Sequence, residues 1–405
     1  MTAATTIAAP ESTRSLQARA ITLCAIVAFL DGFDTQALGP AAKPIATSLG
    51  FPVGDLGPVF SASQIGFLVG ALTFGALGDR LGRKRVLICA VALFGLCSLA
   101  TAFASNFETL FAARLLAGLG LGGATPNFVS LASEYAPPEK RARVVTMMWA
   151  AVPLGGMTAA LATAALLPDF GWKMTFYIGF VAPMLLIGIM LPYLPESSEV
   201  KAVVQEKVGL GTALFGEHRW LATIWLWLAS LTGWMTLIVV VFWTPALLAQ
   251  SGLSASAAAS ILALHNVGGI LGTLTIGALI GRLTPRQALT IALVASGLSV
   301  IAMGQSIGIF PLLAGATVFA GFFGSAAGAA LIAVSSRIYP ETARASGVGF
   351  ALGAGRLGTI IGPMLVGLLI ASAWPVGRIY LAIALPAFAA ALFITLLARA
   401  RHSNL

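Results

Sequence analysis

Gly75-Ala-Leu-Gly-Asp79-Arg80-Leu-Gly82-Arg83-Lys84-Arg85 puts five charges into a short segment between two long apolar stretches, 56–78 and 86–105. A related segment, Gly277-Ala-Leu-Ile-Gly281-Arg282-Leu-Thr-Pro285, follows 202 residues later. Pro138-Glu139 and Pro340-Glu341 repeat at the same 202-residue offset. Two independent matches at one offset predict a duplicated unit. Gly281 stands where the acid stands in the first copy, so the second segment is degenerate.

Apolar stretches of about 20 residues recur on either side of these segments, each long enough to cross a bilayer as a helix. Twelve are predicted, at 20–40, 56–78, 86–105, 108–133, 143–167, 173–194, 219–248, 255–281, 287–306, 309–336, 344–372 and 376–398. The longest polar interruption, Pro195 to His218, divides them six and six. The expected organisation is a tail (1–19), a six-helix bundle (20–194), a linker (195–218), a second bundle (219–398) and a tail (399–405). The fold class is therefore all-α integral membrane, twelve transmembrane helices in two pseudo-symmetric six-helix bundles. Parallel six-helix halves with a site between them near the midplane describe one plan of secondary transporter.

Composition agrees. Hydrophobic residues make up 58% of the chain and charged residues 9%, with a mean hydropathy of +0.95; a soluble domain carries roughly 25% charged residues. Forty-five glycines suit helices that pack closely in a membrane. The net charge of +9 is a matter of topology. With both termini inside, the cytoplasmic segments hold 18 of 23 basic residues, while Lys43, Lys173 and Arg378 lie opposite and Arg114 and Arg356 lie within spans. That is the positive-inside bias, and nucleic acid is not an expected partner. Residues 1–19 are polar, so no cleavable signal peptide is expected. Cys24, Cys89 and Cys97 have no metal-ligand spacing and read as packing residues. No cofactor is implied.

The segment Gly75-x-x-x-Asp79-Arg80-x-Gly82-Arg83-Lys84-Arg85 resembles the loop signature of the major facilitator superfamily at every position. Arg114-x-x-x-Gly118-x-x-x-Gly122-x-x-x-Pro126 is similar to its fourth-helix signature, and Pro195-Glu196-Ser197 to the motif that often follows its sixth helix. Asp31-Gly-Phe-Asp34-x-Gln36-x-x-Gly39 resembles the first-helix signature of the aromatic acid:proton symporters. Gly353-x-Gly355-Arg356-x-Gly358 with Gly362-Pro363 resembles their eleventh helix. The pattern is closest to the importers of hydroxyphenylpropionate- and benzoate-type acids. The resemblance implies a bacterial inner-membrane protein acting as a monomer. It also implies that Gly75, Asp79, Arg80, Gly82 and Arg83 form a cytoplasmic gating latch, Asp79 lying near the start of helix eleven, where the helix dipole favours an anion.

Ionisable groups inside a membrane cost about 2.5–3.5 kcal/mol each on insertion scales and normally serve a polar cavity. Asp31 and Asp34 lie three apart on one face of helix one. As neighbours in a low dielectric they would titrate as a coupled pair and carry the proton. The alternative is that one of them pairs with Arg114 to hold helices one and four together. Arg114 lies roughly 9 Å below the outer end of its helix, at a depth where it could meet Asp34 and favour proton release.

Arg356 has no acid in its own half of the membrane, and a guanidinium binds a carboxylate through two parallel hydrogen bonds. It is the candidate for the substrate's carboxylate; the alternative is helix packing. Trp220, Trp227 and Trp234 form a stripe on helix seven, and Trp234 could stack on an aromatic substrate. Packing or an interfacial belt is the alternative, and Trp243 reads as a belt residue. His265 is a lone histidine, open to a relay or to hydrogen-bonded packing. Gln36, Gln64 and Asn127 are candidate contacts to a substrate hydroxyl. The expected function is proton-coupled import of aromatic carboxylates, against a proton-coupled exporter or, remotely, a membrane sensor or enzyme. Val152-Pro153-Leu154-Gly155-Gly156 lacks the spacing of the exporters' fifth-helix motif.

Overall fold

The computed structural model describes residues 11–197, 215–216, 219–280, 283–339, 344–397 and 399. Gly281, Arg282, Pro340 and Glu341 of the second repeat copy, and most of the predicted linker, lie outside them. Among the described residues the fold is helical with no strand. Its twelve membrane-length helices are α1 (Glu11–Leu49), α2 (Leu56–Leu81), α3 (Arg83–Ala102), α4 (Phe107–Tyr135), α5 (Arg141–Phe170) and α6 (Lys173–Tyr193), followed by α7 (Trp220–Gln250), α8 (Ala255–Ile280), α9 (Pro285–Gln305), α10 (Phe310–Ile338), α11 (Arg344–Ala371) and α12 (Val376–Leu397). Sequence chemistry sets their ends. Asn106 and Thr284 build capping boxes at α4 and α9, satisfying amides that the helix leaves unpaired. Gly82, at φ 97°, turns the chain between α2 and α3 in a backbone region that a side chain disfavours.

The duplication is visible in the packing. Gly66 and Gly70 of α2 lie against the backbone of α4 at Leu115 and Leu119; Gly268 and Gly272 of α8, each 202 residues on, lie against α10 at Val318 and Phe322. Without a hydrophobic driving force between helices in lipid, such close backbone approach supplies much of the attraction. On α4, Gly118 and Gly122 return the contact to the Ser63 and Phe67 backbones.

The core has one shared part and two separate ones. At the face opposite the Gly82 turn, a single apolar cluster joins both bundles, from Phe33, Ala41 and Phe60 to Trp243, Leu247 and Tyr380. At the turn face each bundle keeps its own cluster: Leu23, Leu87 and Met190 in α1–α6, and Leu226, Leu289 and Ile394 in α7–α12. Polar bonds close the shared face. Lys43 Nζ donates to Ala249 O at 2.8 Å and Ser61 Oγ to Ile360 O at 2.6 Å, while within the second bundle Trp243 Nε1 donates to Pro363 O at 3.1 Å. Phe60 stacks on Phe242 at 4.9 Å between centroids. Trp243 is thus no belt residue. It is fully buried at the junction, because its indole N–H finds a partner on α11 and its ring an edge-to-face contact with Phe60. The molecule is closed at one face and divided at the turn face, where α4 and α10 are not packed together among the described residues.

Candidate functional site

Three polar groupings sit at membrane depth. The first lies inside the α1–α6 bundle. Asp34 Oδ2 is 3.0 Å from Arg114 Nη2, with both side chains about 1% exposed. Arg114 Nη2 also donates to Asp34 O and its Nε to Ser63 Oγ, each at 3.4 Å, and its Cζ lies 6.0 Å from the Phe176 ring centroid. Gly179 of α6 makes room: a β-carbon there would lie 3.6 Å from Asp34 Oδ1 and would strike Ser98 Oγ. The expected meeting of Asp34 and Arg114 occurs, in a pocket walled by α2, α3, α4 and α6.

The second grouping lies between the bundles. Asp31 accepts from Thr35 Oγ1 at 3.3 Å and from Thr125 Oγ1 of α4 at 3.2 Å. The Arg356 guanidinium has no ion-pair partner among the described residues; its Cζ lies 3.8 Å over the centroid of Phe67 on α2. Trp234 rests on the neighbouring residue, since a β-carbon at Gly355 would lie 2.6 Å from its Cδ1, and its far edge reaches Gly328 of α10. The two carboxylates, expected as a coupled pair, have different hydrogen-bond and ion-pair partners. A 60° turn of the helix carries Asp34 into the packed bundle and leaves Asp31 toward the divide.

The third grouping is nearer the closed face. Asn266 Nδ2 donates to Gln36 Oε1 at 2.8 Å, joining α8 to α1, and Gly156 of α5 lies flat against the Gln36 amide. His265 is buried beside α10, with no hydrogen-bond partner for Nδ1 among the described residues. Asn127 stands apart from all three. Its amide donates to Gly123 O at 2.8 Å and Phe74 O at 3.2 Å, tying α4 to α2 over Gly78.

At the turn face Arg83 pairs with Asp79 at 3.1 Å and with Glu134 at the end of α4. Ser197 Oγ donates to Glu134 Oε2 at 2.7 Å, Tyr135 OH to Glu196 O at 2.8 Å and the Lys84 amide to Glu196 Oε1 at 3.1 Å. Among the described residues these bonds stay within the α1–α6 bundle, and Asp79 is bonded to Arg83 and not to α11. Gly75 packs on Pro126, and the β-carbon that Gly82 lacks would meet Glu196. Arg80 is exposed.

Sequence reading missed Phe67, Thr125 and Glu134. Thr125 follows Arg114 by eleven residues, three turns on the same helix, so helical periodicity marks it. Nothing local marks Phe67, whose partner belongs to the other bundle.

A duplicated bundle pair joined at one face, with buried polar groups both inside the first bundle and between the bundles, has the architecture of a membrane transporter. The chain belongs to the Major Facilitator Superfamily, whose family model matches residues 24–306 and 247–404. It is 34% identical over 420 residues to the 4-hydroxybenzoate transporter PcaK of Pseudomonas aeruginosa, covering 96% of this chain and 94% of that protein. It is 37% identical over 365 residues to the 3-(3-hydroxy-phenyl)propionate transporter of Escherichia coli, covering 89% of each. The fold matches the crystal structure of a D-xylose-proton symporter with a TM-score of 0.80 at 17% identity, over 93% of this chain and 96% of that chain.

Proposed function

We propose that the protein imports aromatic carboxylates of the hydroxybenzoate, benzoate or hydroxyphenylpropionate type together with protons, by alternating access in a bacterial cytoplasmic membrane, as a monomer. One observation carries the reading: among the described residues Asp31 accepts from the hydroxyls of Thr35 and Thr125, and Arg356 reaches across the bundle interface onto Phe67 with no ion-pair partner. The names of the relatives support the substrate class. The positive-inside bias puts the turn face and both termini in the cytoplasm, so the described form is open inward.

The coupling follows from charge balance. In the empty carrier Asp31 and Arg356 offset each other. A substrate carboxylate on Arg356 and a proton on Asp31 together leave the site balanced again. Acid alone leaves a net negative charge, and a proton alone a net positive one. Net charge at membrane depth is costly, so the half-loaded forms reorient slowly while the empty and fully loaded forms cross. Each ligand also favours the other, because the proton removes the repulsion that the incoming carboxylate meets. Trp234, held against Gly355 beside Arg356, provides an aromatic face for the ring.

Uptake of radiolabelled benzoate, 4-hydroxybenzoate, 3-(3-hydroxyphenyl)propionate and a non-aromatic acid into proteoliposomes tests this. Uptake of an aromatic acid driven by an acidic exterior and abolished by a protonophore is expected. Gradient-driven efflux, or no flux of any aromatic acid, contradicts it.

A further inference from the structure

We infer that Phe67 is a positioning residue that holds Arg356 as a two-pronged carboxylate clamp; this rests on Arg356 being the carboxylate partner proposed above. The Arg356 Cζ is 3.8 Å from the Phe67 ring centroid, the separation of a guanidinium lying over an aromatic face. Contact through the flat face leaves the five N–H donors directed around the rim. Two parallel donors on that rim match the two oxygens of a carboxylate. Among the described residues no acid pairs with those donors, so the ring fixes the cation without occupying its hydrogen-bonding edge.

Phe67 is itself fixed. It is buried in the cluster proper to the α1–α6 bundle, and its backbone lies against Gly122 of α4. Arg356 belongs to α11. The clamp is therefore built from both bundles: one supplies the charge, the other the surface that orients it. An unbranched arginine on an aliphatic surface would sample many rotamers, and binding a carboxylate would have to order them first.

The test is a binding measurement on purified full-length protein with 4-hydroxybenzoate and, as the neutral comparison, 4-hydroxybenzamide. Phe67→Leu should weaken 4-hydroxybenzoate binding about tenfold, between the size of an exposed and of a desolvated cation–π contact, and leave 4-hydroxybenzamide binding unchanged. Phe67→Tyr, which keeps the ring, should restore wild-type affinity. In an Arg356→Lys background, Phe67→Leu should cause no further loss, since the ring acts through the guanidinium. Phe67→Met covers the case in which the leucine variant fails to fold.

Unchanged 4-hydroxybenzoate affinity in a folded Phe67→Leu or Phe67→Met variant overturns the inference, provided that Arg356→Lys weakens binding. Equal weakening of the acid and the amide also overturns it, because the ring then touches the ligand or shapes the site without acting through Arg356. If Arg356→Lys leaves acid binding intact, the assignment of Arg356 falls first and the inference with it.

Discussion

Asp34 and Arg114 meet at 3.0 Å in a pocket where both side chains are about 1% exposed, while Asp31, one helical turn away, bonds among the described residues to the hydroxyls of Thr35 and Thr125. Adjacent carboxylates on one helix thus have different surroundings, one with a fixed counter-cation and the other facing a cation across the divide. The proposed division of labour follows: Asp34 holds the first bundle together, and Asp31 exchanges the proton.

Breaking a buried ion pair by removing one partner leaves an uncompensated charge, at a cost of about 3–5 kcal/mol. Asp34→Asn and Arg114→Gln should each lower the thermal midpoint of the purified transporter sharply. The double variant, which buries two neutral amides instead, should recover part of that loss. Thermal unfolding in detergent of the three variants checks this; additive losses would mean that the two residues do not act as a pair.

The Asn266–Gln36 hydrogen bond joins the bundles near the closed face, so separating the bundles there would break it. Removing it by Asn266→Ala takes away roughly 1 kcal/mol of support, about a fivefold shift toward outward opening. Spin-label distances between α1 and α7 at the closed face should show the longer population growing. No change would mean that the apolar seal around Phe60 and Trp243 sets the equilibrium alone.

Gly82→Ala strains a φ of 97° and drives a methyl group toward the Glu196 carboxylate. The backbone penalty is about 1–3 kcal/mol. The variant should loosen the Lys84 and Glu196 contacts and slow transport with little effect on substrate affinity. Initial uptake rates across a range of substrate concentrations read that separation.

The fold was legible because membrane physics writes long signals. Length, apolarity and the 202-residue repeat specify twelve spans and two bundles without any tertiary information. Rare intramembrane charges, costly wherever they lie, likewise single out Asp31, Asp34, Arg114 and Arg356. Partner assignment was less legible. Three-residue spacing puts Asp31 and Asp34 near one face, but which neighbour each meets depends on where α4, α6 and α11 pack. Trp243 has the position of a belt residue near a helix end, and only the packing of α7 against α2 and α11 buries its ring on Phe60 and makes it a donor to Pro363. Asn127 reads as a polar group free for a ligand, yet the glycine at 78 draws α2 close enough to engage it.

Asp31→Asn separates coupling from binding most cleanly. A permanent amide at this position mimics the protonated state, so acid can bind and cross while the empty carrier, left with an unbalanced Arg356, returns slowly. In proteoliposomes loaded with unlabelled 4-hydroxybenzoate, the variant should still exchange it for labelled substrate. It should fail to accumulate substrate under an acidic exterior. Retained proton-driven accumulation in Asp31→Asn would contradict the proposed role of Asp31 and move proton coupling elsewhere in the protein.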